Sequence, residues 1–256
     1  MTRTPTFLRT EDHNGVTLVA LSRADKRNAL TPDMIFGLDT LLKESIASSR
    51  AIVLAGDGNV FCGGFDLKLC HTDRGTLESL LIGLARVIET LRASDKPVVI
   101  AAHGAAIAGG CALLGGADVV VTDRVASLGY PVVTLGISPA VSAPYLAQRV
   151  GNGAARELLL GAALINGEEA RRIGLADICC DIREDVVPRS LRIAGVLAAK
   201  PVEAFAATKT LLREIEDLSG VLHRATALKT SLRLTDSDEQ RTRLAAMWGG
   251  SANTKT

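Results

Sequence analysis

Two short glycine-bearing stretches are the parts of this chain whose residue types and spacing suit chemistry. They are Phe61-Cys62-Gly63-Gly64-Phe65-Asp66-Leu67 and Gly104-Ala105-Ala106-Ile107-Ala108-Gly109-Gly110-Cys111. Each follows a segment that reads as a strand, and each places glycines where a backbone would turn sharply. Such turns free backbone N–H groups, and two of these aimed at one point bind an oxygen on which negative charge develops. Few side chains nearby could move a proton. Asp66 reads as a loop cap or ligand contact, with an acid–base role as the sharper alternative. Tyr130 reads as a core tyrosine, with proton donation as its alternative. His103 reads first as a structural hydrogen-bonding residue. His71, Asp73 and Glu78 read as solvated residues that follow the first stretch. Cys62 and Cys111 read as small packing residues, with no base beside either to make a nucleophile.

The elements that must position these stretches alternate between strand and helix. Phe7 to Thr10 and Val16 to Leu21 read as strands around the Asn14-Gly15 turn. Thr31-Pro32-Asp33 reads as a helix start, followed by the stripe Leu38, Leu41, Leu42 and Ile46. Ala51 to Ala55 reads as a short apolar strand, Thr76 to about Arg92 as a helix, and Pro97 to Ala102 as a buried strand. Cys111 to Leu114 should open a helix, and Val119 to Thr122 is a further strand. This alternation predicts an α/β fold with largely parallel sheets. From about Val187 onward only helical periodicity remains. Pro201 restarts one helix, and Asp236 with Glu239 resembles a capping box for another. The expected organisation is a core over residues 1–190 and a helical region over 191–256.

Bulk composition excludes several function classes. The 256 residues suit one large domain, and a hydrophobic content of 47% supports a sizeable core, built from aliphatic residues because aromatics are only 3%. A net charge of +1 without a Lys/Arg run argues against nucleic acid as the main partner. No apolar run reaches the length of a membrane span, and the N-terminal residues lack a signal-peptide stretch. Five cysteines without repeated spacing suggest reduced thiols in a cytoplasm, and no Cys/His set has zinc-ligand spacing, so no metal is expected.

Three further segments complete a pattern: Lys26-Arg27-Asn28-Ala29-Leu30, Pro131-Val132-Val133-Thr134-Leu135-Gly136-Ile137-Ser138-Pro139-Ala140, and Ala170-Arg171-Arg172-Ile173-Gly174-Leu175-Ala176-Asp177. With the two glycine stretches, in this order, the chain resembles the crotonase, or enoyl-CoA hydratase/isomerase, superfamily. The resemblance implies a repeated ββα spiral core with a C-terminal helical trimerisation region, in a homotrimer or dimer of trimers. It implies a coenzyme A thioester as ligand and no other cofactor. The N–H groups of Phe65 and Gly109 would hold the thioester carbonyl. Substrate contacts would come from Lys26, Arg27, Ala29, Gly63, Gly64, Phe65, Asp66, Leu67, Lys68, Gly109, Gly110 and Val132, with Lys209 a further candidate for phosphate. His71, Asp73 and Glu78 would fall in a segment that lines the acyl pocket. Where hydratases of this family carry two glutamates, this chain has Ala112 and Val132. Where some isomerases carry their base, it has Ala140. The expectation is therefore isomerase, decarboxylase or other thioester chemistry through an enolate, rather than efficient hydration. The alternative is an acyl-CoA-binding protein without catalysis.

Overall fold

A computed structural model of the chain describes residues 7–73, 75–217, 221–233, 235 and 237–249. The chain begins with a hairpin, β1 (Leu8–His13) and β2 (Val16–Leu21), paired antiparallel. Asn14 and Gly15 join them with φ of 56° and 84°, the left-handed pair that a two-residue hairpin turn requires. Thr31 then caps α1 (Pro32–Ser48) by accepting the Met34 N–H at 3.2 Å, with Pro32 in the first turn, where its missing N–H costs nothing.

β3 (Ala51–Gly56), β4 (Val98–Ala102), β6 (Val119–Asp123) and β9 (Ile178–Cys180) continue from β2 in parallel, making a six-stranded sheet in the order β1-β2-β3-β4-β6-β9. Both faces of its middle are buried, so the strands read as continuous apolar runs. Ile52, Leu54 and Ile100 join the core beneath α1 and α3 (Thr76–Ala93). The alternate residues Ala51, Val53, Val99 and Ala101 pack with α7 (Val186–Ala198) on the opposite face. The junction expected at residue 190 falls inside that helix.

A second, three-stranded sheet carries the short strands β5 (Ala105–Ile107), β7 (Ser127–Gly129) and β8 (Leu164–Ile165) in the order β5-β7-β8. Two isolated bridges extend this layer, Cys62 with Ala106 and Leu30 with Phe65. β5 runs directly into α4 (Gly109–Leu113). Gly109 is its first residue, two residues before the Cys111 to Leu114 segment read as helix.

The remaining helices are α2 (Leu67–Thr72), α5 (Ala143–Gly161), α6 (Gly167–Ile173), α8 (Val202–Asp217), α9 (Val221–Arg233) and α10 (Asp238–Gly249). Past β9 the described residues contain no strand. Pro201 precedes α8 as expected. Asp236 of the expected capping box lies outside the described residues. Ser237 fills that role, accepting the Gln240 N–H at 3.2 Å.

Candidate active site

The Phe65 donor is aimed by strand alternation. Leu30 N–H donates to the Gly64 carbonyl at 2.8 Å, and Asp66 N–H donates to the Leu30 carbonyl at 2.9 Å. Those groups face the N-terminal segment, as does Gly63 N–H, which donates to the Arg27 carbonyl. Cys62 faces β5, donating to the Ala105 carbonyl and accepting from Ile107 N–H, each at 3.0 Å. Phe65 is the bridge partner of Leu30, which bonds the residues on either side of it, so the N–H of Phe65 itself is turned away from the N-terminal segment.

The Gly109 donor is freed by the helix start. Ala108 N–H donates to the Gly129 carbonyl at 2.8 Å, and Ala112 N–H closes the first turn onto the Ala108 carbonyl. Gly109 is the first residue of α4, so its N–H has no acceptor within the helix. Ala108 adopts φ 51° and ψ −111°, a backbone that costs a non-glycine residue about 1–3 kcal/mol. The two turns pack closely: a Cβ on Gly109 would lie 2.6 Å from Phe65 Cε1 and would displace that ring, and one on Gly110 would lie 2.5 Å from the Cys62 carbonyl.

Beside the donors lies a cavity of about 100 Å³. Gly63, Phe65, Leu67, Gly109, Tyr130 and Val132 of the expected site residues line it, together with Ala112. Leu81 and Leu84 of α3, and Ile107, Leu135, Ile137 and Val141, complete an aliphatic wall. The polar side chains on it are Tyr130, Ser138 and Ser142, all hydroxyls. Among the lining residues there is no carboxylate, imidazole, thiol or amine.

Tyr130 is buried and hydrogen-bonded to the side chains of Cys111 and Ser142. Burial holds its phenol well above the ordinary tyrosine range, so it stays protonated at neutral pH. Cys111 is fully buried and its thiol is pushed up to about 12, as is that of Cys62. Both are packing thiols in this setting.

Asp66 does not line the cavity. It accepts from Arg23 Nη1 at 2.9 Å and caps α2 through the Leu69 N–H at 3.3 Å. Arg23 also donates to the Ala29 carbonyl at 3.0 Å, so it ties the N-terminal segment to the residue after the Phe65 donor. Asn28, fully buried, donates to the carbonyls of Asp57, Val60 and Phe61 and accepts from Arg23 N–H. Nothing in the spacing singled out Arg23. Asn28 lay within a quoted motif, but its role as a buried clamp depends on the left-handed φ of 54° that it adopts.

Lys26, Arg27 and Lys68 are exposed, Ala29 is half-buried, and Gly64 and Gly110 are buried behind the turns. Lys209 is committed elsewhere, donating to Asp118 Oδ2 at 2.7 Å and to the Lys96 carbonyl at 2.9 Å. His103 Nε2 lies 3.2 Å from the Gly58 carbonyl, a structural contact. His71, Asp73 and Glu78 are exposed and off the cavity wall. Ala140 is also off it.

The family model for enoyl-CoA hydratase/isomerase matches residues 11–246. The "Probable enoyl-CoA hydratase EchA14" of Mycobacterium tuberculosis is 32% identical over 213 residues, 82% of this chain and 81% of that one. A short-chain-enoyl-CoA hydratase of Clostridium acetobutylicum is 32% identical over 173 residues, 65% of this chain and 66% of the relative. In structure, the chain superposes on an enoyl-CoA hydratase/isomerase from Pseudoalteromonas atlantica with a TM-score of 0.85, at 24% identity, covering 98% of this chain and 100% of that one.

Proposed function

Because this chain belongs to the enoyl-CoA hydratase/isomerase family and has its crotonase fold, we propose that it binds an acyl-CoA thioester and stabilises the derived enolate through the N–H groups of Phe65 and Gly109. The observation that carries this reading is that Phe65 and Gly109, from the two glycine turns, line one aliphatic cavity. Removing one such donor typically costs about 3–4 kcal/mol of transition-state stabilisation. Donors of this kind select charge on oxygen, whatever step creates it.

The same cavity argues against efficient hydration. Adding water across a double bond needs a base for the water and an acid for the carbon, and Ala112 and Val132 on the wall can be neither. A missing general acid or base typically costs about 10²–10⁴-fold. Isomerisation, decarboxylation and other thioester chemistry place smaller demands on proton transfer. The carboxylate-free wall favours one second reading, an acyl-CoA-binding protein without turnover. Lys26, Arg27 and Lys68 are free to meet the phosphates of coenzyme A. The proposed working form is a cytoplasmic homotrimer or dimer of trimers, with no cofactor beyond the coenzyme A of the substrate.

The test is calorimetric binding of butyryl-CoA, followed by mass spectrometry of saturated, 2-enoyl, 3-enoyl and 2-carboxyacyl thioesters in deuterated water. Gly109→Pro deletes one donor N–H and should weaken binding and abolish any turnover. Normal binding and turnover by that variant would sink the oxyanion assignment. Binding with every thioester returned unchanged would favour the non-catalytic reading.

A further inference from the structure

We infer that the cavity selects a short, unsubstituted acyl chain of about four carbons, and discriminates against chains that are longer or that carry a hydroxyl on the third carbon. The inference rests on the acyl-CoA reading above and names the ligand class of that site.

Three observations carry it. First, the cavity has a floor. Gly63, Phe65, Leu67, Val132 and Leu135 are half-buried and form its mouth. Leu81, Leu84, Ala112, Tyr130, Val141 and Ser142 are between 2% and 5% exposed and close its inner end. An acyl chain that enters past Phe65 therefore ends against buried side chains, Leu81 and Leu84 of α3 among them. Both leucines belong to the main core, so the floor cannot retreat without repacking it.

Second, the cavity is small. An apolar cavity of about 150 Å³ holds benzene, with its six carbons, so the 100 Å³ available here holds about four. Each further carbon must displace core side chains, and overpacking a close-packed interior is unfavourable.

Third, the inner end has no polar side chain to spare. Ser142 Oγ donates to the Pro139 carbonyl at 2.9 Å. The Tyr130 hydroxyl is hydrogen-bonded to the side chains of Cys111 and Ser142. The other side chains of the inner end are aliphatic. Ser138 is half-buried and also lines a neighbouring surface groove, which places it toward the mouth. Where hydratases of the family carry two glutamates, Ala112 and Val132 present a methyl and an isopropyl group. A hydroxyl on the third carbon would enter this lining without a partner and lose its hydrogen bonds to water. Hydration yields such a 3-hydroxyacyl thioester. The lining therefore selects against the product of hydration, in addition to lacking the acid and base that would make it.

The experiment is calorimetric titration of the wild-type protein with acetyl-, butyryl-, hexanoyl-, octanoyl- and 3-hydroxybutyryl-CoA. Affinity should rise about fourfold per carbon from acetyl to butyryl and fall by about tenfold or more at octanoyl. 3-Hydroxybutyryl-CoA should bind about 10- to 100-fold more weakly than butyryl-CoA. Leu84→Ala should move the optimum to hexanoyl. Val132→Thr keeps the shape of the side chain and adds one hydroxyl, so it should narrow the gap between 3-hydroxybutyryl-CoA and butyryl-CoA. Octanoyl-CoA or 3-hydroxybutyryl-CoA bound as tightly as butyryl-CoA would overturn this inference and leave the acyl-CoA reading intact. An unmoved optimum in Leu84→Ala that retains the circular dichroism of the wild type would overturn it too. Should that variant fail to fold, the wild-type series and Val132→Thr decide. Absence of binding by every thioester would overturn both readings together.

Discussion

At the scale of single residues, positions behind the donors matter as much as the donors. Arg23 and Asp66 form an ion pair whose side chains are 14% and 16% exposed, one residue away from the Phe65 N–H. Replacing Arg23 with methionine leaves Asp66 without its cation and Ala29 without its donor. Breaking a largely buried pair from one side costs about 3 kcal/mol, and kcat should fall more than KM because Phe65 loses its support. Thermal unfolding and steady-state kinetics of Arg23→Met check both. His103 supplies a pH prediction. Burial lowers its pKa below the ordinary histidine value of 6.5, so the unfolded chain binds its proton at a higher pH than the folded chain does. Stability from this residue is complete above 6.5 and declines as the pH falls toward the folded pKa. Urea unfolding midpoints measured between pH 8 and 5 should drop on the acid side, and His103→Gln should flatten that part of the profile.

At the scale of elements, the second glycine turn holds the most informative strain. Ala108 is forced to φ 51° by its bond to Gly129 and by the helix that starts one residue later. Ala108→Gly relieves that strain and should raise stability by roughly 1 kcal/mol, while looser positioning of the Gly109 N–H should lower kcat. A melting curve beside a kcat measurement on the same preparation tests the trade. The long elements were legible from sequence because their signals are local. The Asn14-Gly15 turn, the Thr31 cap and the apolar run of β3 each specify structure within a few residues. β5, β7, β8 and β9 were not legible, being two or three residues long and defined by pairing with distant partners. The donor turns were readable as motifs. The wall contributed by Leu81 and Leu84 was not, because on α3 their spacing matches that of core leucines such as Leu80 and Leu77. Glycine at positions 109 and 110 argues locally against helix, yet α4 begins at Gly109, because the packing of the two turns overrides that preference.

At the scale of the whole molecule, α8 displays a stripe that the described residues leave exposed. Leu211, Leu212 and Ile215 are 55%, 54% and 57% exposed, three large aliphatic side chains at helical spacing. Burial of this stripe against further copies of the chain fits the proposed trimer. Leu211→Glu with Ile215→Glu should convert a trimeric species to monomer in light scattering, with the circular dichroism of the chain retained. An unchanged mass would place the oligomer contact elsewhere. A different consequence follows from the bridge between Cys62 and Ala106. The gap between the two donors is set by one rung of backbone hydrogen bonds that joins both turns, not by two loops wandering independently. Widening that gap requires breaking the rung. Ligand affinity should therefore persist almost to the melting temperature and then vanish with the fold itself, which calorimetric titrations at rising temperature would check.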